Sequence, residues 1–128
     1  MRVSFLYYRV MLPYDYRLKK ETDIKKLFSK GKGVFDTKVG TKIRKNGLGQ
    51  TRFVIVVGVK VHKRAFRRNR IRRRVRAILE EHLSHIAPDY DVAIIARPEA
   101  LTASYKELEV SVLSALKKVG VLDDVPRL

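Results

Sequence analysis

The chain contains no cysteine and no tryptophan, and its 13 acidic residues face 29 lysines and arginines. Without cysteine there is no disulfide, no thiolate metal ligand and no cysteine nucleophile. No apolar run approaches the roughly 18 residues that a spanning helix requires. Residues 1–10 are apolar, but Arg9 interrupts them and no small-residue cleavage site follows. The expectation is a cytoplasmic protein. The glycines do not form a phosphate-loop pattern. Serines and threonines are scattered without an evident base. His82 and His85 are spaced i, i+3, which suits a metal, but no thiolate or carboxylate pair converges on them. His62 lies among basic residues. Asp89 and Asp91 flank Tyr90 at the start of an apolar run, where turn chemistry accounts for them. No catalytic residue and no protein metal ligand is therefore expected.

What is present is positive charge. The net charge is +16 over 128 residues, enough chain for one domain with a modest core. Nucleic acid is the default partner of such a balance, and an anionic membrane surface the lesser option. Residues 60–76 hold ten of the basic residues and no acid, leaving 19 basic against 13 acidic elsewhere. Seven of the ten residues from Arg67 to Arg76 are arginine.

This stretch reads as a helix. Ile71, Val75, Ile78, Leu79, His82 and Leu83 form one stripe at about 100° per residue. Asn69, Arg72, Arg73 and Arg76 share an adjoining face, with Arg70 and Arg74 on the opposite flank. Arginines crowd the first turns, where the helix dipole prefers acids. Arg70 with Arg73 and Arg74 repel by a few tenths of a kcal/mol per pair. A solvated face normally mixes signs. A single-sign face at a helix N-terminus suits a polyanion instead.

The rest of the chain alternates helix and strand. Thr22 and Asp23 offer a cap for a short helix carrying Ile24, Leu27 and Phe28 and ending at Gly31 or Gly33. Phe35, Thr37, Val39, Thr41 and Ile43 alternate as one half-buried strand, with Lys38, Lys42 and Arg44 on its other side. A turn at 46–49 leads to a second strand, 52–60, whose run Phe53-Val54-Ile55-Val56-Val57 suggests burial on both faces. These two strands are expected to form a hairpin. The arginine helix ends near 84–87, and 90–98 is a further central strand. Thr102 or Ser104 caps the last helix, which runs to Lys118 with Tyr105, Leu108, Val112, Leu113 (or Ala115) and Leu116 inward. The expected fold is an α/β (α+β) two-layer sandwich with a mixed sheet, in the order α-β-β-(β)-α-β-α.

The run Arg68-Asn69-Arg70-Ile71-Arg72-Arg73-Arg74-Val75-Arg76 resembles the signature of the bacterial ribonuclease P protein subunit. That signature is Arg-Asn, two variable residues, two basic residues, two variable residues and Arg, and every fixed position is matched. The family usually continues with glutamate where this chain has Ala77, and with paired lysines where it has Val59-Lys60. The resemblance extends from about Leu12 to Val119. It implies a ribosomal-protein-S5-domain-2-like arrangement with a left-handed β-α-β crossover. It also implies residues 1–12 as an N-terminal extension, 13–122 as a single domain and 123–128 as a tail. Met11-Leu12-Pro13 is similar to the family's start, so translation begins at Met1 or Met11.

By the same resemblance the chain assists an RNA catalyst that removes the 5′ leader of precursor tRNA. Magnesium is held by that RNA, and the protein is a monomer in the holoenzyme without DNA or membrane partners. Lys60, Lys63, Arg64, Arg67, Arg68, Asn69, Arg72, Arg73 and Arg76 would meet the catalytic RNA. Ile24, Phe28, Lys38 and Lys42 would face the leader, although aromatics usual in the family near Ile24 and Lys42 are missing here.

Three other readings compete. A generic RNA-binding or ribosomal protein would use the same helix. A helix-turn-helix DNA reader would need a short helix before it across a tight turn. A membrane-surface helix would need the apolar stripe that the core also claims.

Overall fold

The computed structural model describes residues 13–123. The expected N-terminal extension, the choice of Met1 or Met11, and the tail from 124 onward lie outside the described residues. Helix α1 (Glu21–Lys30) is followed by strands β1 (Lys32–Phe35), β2 (Val39–Lys45) and β3 (Arg52–Val56). The arginine-rich α2 (Ala65–Glu81), strand β4 (Tyr90–Ala96) and α3 (Tyr105–Lys118) complete the order. Among the described residues no helix is long and apolar enough to cross a membrane.

The sheet order is β1-β2-β4-β3, with β1–β2 and β2–β4 antiparallel and β3–β4 parallel. The strand expected across 35–43 is thus two strands. Asp36 Oδ1 accepts the N–H groups of Lys38 at 2.7 Å and Val39 at 2.8 Å, closing a turn that period-2 alternation does not register. The hairpin is β1–β2. The expected pairing of β2 with β3 does not occur, because β4 inserts between them. The loop between β2 and β3 instead passes the end of β4, where Asn46 donates to Asp91 Oδ1 at 2.9 Å and its own N–H meets the Asp89 carbonyl at 2.7 Å.

Burial on both faces belongs to β4, where Val92, Ala93 and Ile94 are fully buried. In β3 Phe53 is buried, but Val54, Ile55 and Val56 are only half-buried, since β3 is an edge strand. Arg17 forms a parallel bridge to Phe53 on its outer side. Asp91 is not a turn residue. It sits within β4, nearly fully buried, and pairs with Arg52. Asp89 does take the turn role, with φ at 76°.

Alternation divides the sheet into two faces. Val39, Ile43, Phe53, Val92, Ile94 and Ala96 pack on Ile71, Val75, Ile78 and Leu79 of α2 and on Leu108, Val112, Ala115 and Leu116 of α3. This is the main core. On the other face Ala93, Val54 and Ile95 meet Leu18 and, from α1, Ile24, Leu27 and Phe28. Helix α1 starts at Glu21 with Lys20 at the N-cap and no side-chain cap, so the expected Thr22 and Asp23 cap is displaced into the first turn. Its end is sterically fixed: a Cβ on Gly31 would lie 2.4 Å from the Leu27 carbonyl and 2.9 Å from that of Ile43. At α3 the cap is Ser104, whose side chain accepts from the Glu107 N–H while Glu107 returns a bond to the Ser104 N–H.

Candidate nucleic-acid interface

The basic surface begins where β3 ends. Gly58 accepts from the Val61 N–H at 3.0 Å, and the Val61 side chain is buried, which pins the loop to the core. His62 Nδ1 accepts from the Arg64 N–H at 3.0 Å. Arg68 then reaches back from α2 and donates to the His62 carbonyl at 2.9 Å and the Lys63 carbonyl at 2.7 Å. Arg68 therefore shapes the loop that presents Lys60, Lys63 and Arg64, all exposed. The helix begins with Arg64 as an N-cap that makes no side-chain bond, and no acid lies in its first turn. Its free N–H groups and dipole add to the cations rather than oppose them. Arg67 is exposed, 5.4 Å from the ring centre of Phe66.

One turn on, Asn69 Oδ1 accepts from Arg72 Nη1 at 2.7 Å, and Arg72 Nη2 reaches the Val57 carbonyl at 3.3 Å. Arg72 and Arg76 line a cavity of about 310 Å³ together with Arg17, Leu18, Lys19 and residues 53–55. Burial holds the Arg76 guanidinium below its ordinary value, and the charges of Arg17, Arg72 and Arg73 push it further down. It stays a cation at neutral pH. Four arginines thus converge on one face, close enough for the charges of three to act on Arg76. Arg74 leaves this face: its Nη1 donates to the Ala103 carbonyl at 3.1 Å, tying α2 to the approach of α3.

Arg17 was not among the expected site residues. It lies far away in sequence, and only the parallel bridge to β3 brings it to α2.

A second surface lies on the α1 side of the sheet. Lys42 Nζ donates to the Phe28 carbonyl at 2.7 Å and sits 5.8 Å from the Phe28 ring centre. Phe28 is half-buried and Ile24 packs beside Leu27, so α1 offers one aromatic edge. Phe35, expected inside the sheet, is 51% exposed on this outer face, because the turn at 36–38 reverses its side. Its ring lies flat over Gly40, where a Cβ would be 2.2 Å from Phe35 Cδ1. Arg97 stands 5.9 Å from the same ring and donates to the Asp36 carbonyl at 3.0 Å. Phe35 and Arg97 were missed because sequence alternation assigned the first inward and gave the second no role.

Lys38 has other neighbours than Phe28 and Lys42, its carbonyl accepting from the Arg97 N–H at 2.8 Å. It occupies the β1–β2 turn, and its charge acts on Asp36 and on Glu107 of α3, across the sheet. Burial alone would raise the Asp36 carboxyl. Bonds from Val39, Lys38 and Ser111, with the Lys38 charge, hold it below its ordinary value.

His82 and His85 keep their rings edge to face, 6.4 Å between centres, but take different partners. His62 stays in the loop, and His85 Nδ1 is 3.0 Å from the Asp123 carbonyl. His82 Nε2 lies 3.5 Å from Glu109 Oε2, and Glu81 is within 4.8 Å, so, against the sequence expectation, two carboxylates do converge on this histidine because α3 brings Glu109 alongside α2. Burial and the charges of Glu81 and Glu109 raise the Tyr105 hydroxyl above its ordinary value.

The family model described as Ribonuclease P matches residues 12–120. The ribonuclease P protein component of Lactobacillus delbrueckii subsp. bulgaricus is 35% identical over 114 residues, covering 88% of this chain and 93% of that protein. The structure of the Staphylococcus aureus RNase P protein superposes with a TM-score of 0.78 at 29% identity, over 84% of this chain and 98% of that one. The RNase P protein from Thermotoga maritima gives 0.73 at 28% identity, over 80% and 96%.

Proposed function

Since the chain belongs to the ribonuclease P protein family, we propose that it acts as the protein subunit of a bacterial ribonuclease P, assisting an RNA catalyst in removing the 5′ leader of precursor tRNA. The observation that carries this reading is the arginine face of α2. Arg72, Arg73 and Arg76 stand close together with Arg17 beside them, and burial first, then the charges of the other three, hold the Arg76 guanidinium below its ordinary value. Phosphates of a structured RNA offset those charges, and release of counterions drives the association. Asn69 aims Arg72, and Arg68 holds the loop that carries Lys60, Lys63 and Arg64.

The leader lies on the opposite face in this reading. Phe28 and Phe35 offer rings for unstacked bases, while Lys42 and Arg97 meet phosphates. Lys38, whose carbonyl accepts from the Arg97 N–H at 2.8 Å, adds its charge beside this face. The two surfaces flank the same sheet, so one protein spans the catalytic RNA and the single-stranded leader. The hydrolysis itself uses magnesium held by the RNA. The side chains of this chain neutralise charge where three polyanionic elements meet. The protein works in the cytoplasm, one copy per RNA.

Reconstitution tests this. The protein is mixed with its host's ribonuclease P RNA and a precursor tRNA at magnesium too low for the RNA alone. Release of the leader that depends on the protein is expected. Binding of the RNA without stimulation of cleavage would leave a generic RNA-binding protein.

A further inference from the structure

The cavity beside Arg72 and Arg76 is more than a cluster of charge. Arg17, Lys19, Arg72 and Arg76 rim it, but its floor is Leu18 and residues 53–55 of β3. At about 310 Å³ it falls at the small end of pre-formed ligand sites. The Lys19 ammonium lies over the Tyr14 ring at 4.1 Å, and Arg17, Arg72 and Arg76 add three guanidinium groups to the lining.

The open edge of β3 completes the site. The Leu18 N–H donates to the Phe53 carbonyl at 2.7 Å, which shows that Phe53 turns its backbone outward from the sheet. The Val57 carbonyl also faces this edge, where Arg72 Nη2 reaches it. Backbone direction alternates along a strand, so Ile55, midway between them, turns its N–H and C=O to the same edge. By that point the N-terminal segment has left β3 to begin α1 at Glu21. Ile55 therefore offers a donor and an acceptor side by side on a fixed backbone, facing the cavity it lines.

A phosphate alone would use the arginines and leave the apolar floor and strand edge unmatched. A nucleotide matches all three. Its base edge carries a donor beside an acceptor, its plane stacks on a guanidinium, and its phosphate takes the remaining cations. We propose that this cavity binds one unstacked nucleotide, with the base against β3 at Ile55 and the phosphate on Arg17 and Arg76. The nucleotide is either an extruded base of a bound RNA or a free mononucleotide. Only that choice rests on the RNA-binding reading above; the chemistry of the cavity does not.

The test is amide-resolved titration of the ¹⁵N-labelled full chain with AMP and, separately, inorganic phosphate. AMP should shift the Ile55 amide saturably and bind about tenfold or more tighter than phosphate, the gain expected from one stacked base. Equal affinities with the Ile55 amide unmoved would overturn the proposal. Ile55→Pro removes the donor at an edge position where sheets tolerate proline, and AMP affinity should fall to that of phosphate. If that variant unfolds, Arg17→Ala decides, and unchanged AMP binding in it would also refute the site. Chemical probing of the host RNA bound to wild type and to Arg17→Ala then separates the sources. An unpaired nucleotide protected only by wild type assigns the occupant to the RNA; identical footprints, where wild type binds AMP and Arg17→Ala does not, assign a free nucleotide. Leader cleavage in the reconstituted enzyme is a separate readout, so either reading can fail without the other.

Discussion

The Arg52 guanidinium meets the Asp91 carboxylate at two points, Nε to Oδ1 and Nη2 to Oδ2, each at 2.9 Å. The pair joins β3 to β4 at the end of the sheet away from the arginine loop. Asn46 adds a bond to Asp91, and Asp23 of α1 lies 3.5 Å from Arg52. The bond to Asp91 raises the Arg52 guanidinium above its ordinary value. Removing one partner of a buried pair typically costs 3–5 kcal/mol. Arg52 keeps Asp23 and some solvent, so Asp91→Ala should cost about 3 kcal/mol. Urea denaturation measures it, and a loss below about 1 kcal/mol would show the pair to be dispensable.

Thr41 is fully buried in β2, and its hydroxyl has no hydrogen-bond partner among the described residues. Its register partners are Ile94 and Val34, both apolar. A buried unpaired hydroxyl costs about 1–3 kcal/mol. Thr41→Val keeps the shape and removes the hydroxyl, so it should stabilise the fold by about 1 kcal/mol. A destabilised variant would mean that the hydroxyl is satisfied in solution.

Asp36 is held below its ordinary carboxyl value of 3.8 in the folded chain. The unfolded chain therefore binds the proton more readily, and stability rises with pH through this window. The contribution is complete above 3.8 and is lost as pH falls from there through the lowered folded value. Denaturation midpoints between pH 5 and about 2 should fall more steeply for wild type than for Asp36→Asn. Parallel acid limbs would remove Asp36 from the account.

In the proposed function, Phe35 over Gly40 offers an exposed ring to a leader base. Phe35→Ala should weaken leader-bearing substrate roughly tenfold and leave mature tRNA binding unchanged. Gly40→Ala should act in the same direction, because the new methyl requires the ring to swing away. Equal losses for both substrates would assign Phe35 to stability rather than to leader recognition.

The contrast between α2 and the sheet shows what local sequence carries. Ile71, Val75, Ile78 and Leu79 are buried as their spacing requires, and Ser104 caps α3, because helix periodicity and capping act within a few residues. Sheet order is a long-range property. Nothing local to 39–56 says that β4 will separate β2 from β3, since that depends on where α2 returns the chain. The Asp36 side-chain turn reversed the face of Phe35 for the same reason that short turns escape periodicity. Arg17 joined the arginine cluster through a bridge to Phe53 that no spacing within its own segment encodes. The arginines of α2 were legible because they are contiguous; of the surface on the α1 side, Phe28 and Lys42 were legible but Phe35 and Arg97 were not, because their meeting depends on the β1–β2 turn and the end of β4.

The most direct measurement is the salt dependence of binding between the protein and its host's ribonuclease P RNA. Each lost phosphate contact lowers the slope of log K against log salt by about 0.7–0.9. Arg73→Ala with Arg76→Ala should therefore flatten it by about 1.4–1.8. Arg74→Ala, whose side chain holds the Ala103 carbonyl, should leave the slope as it is. A folded double variant with the wild-type slope would contradict the placement of RNA on this face of α2.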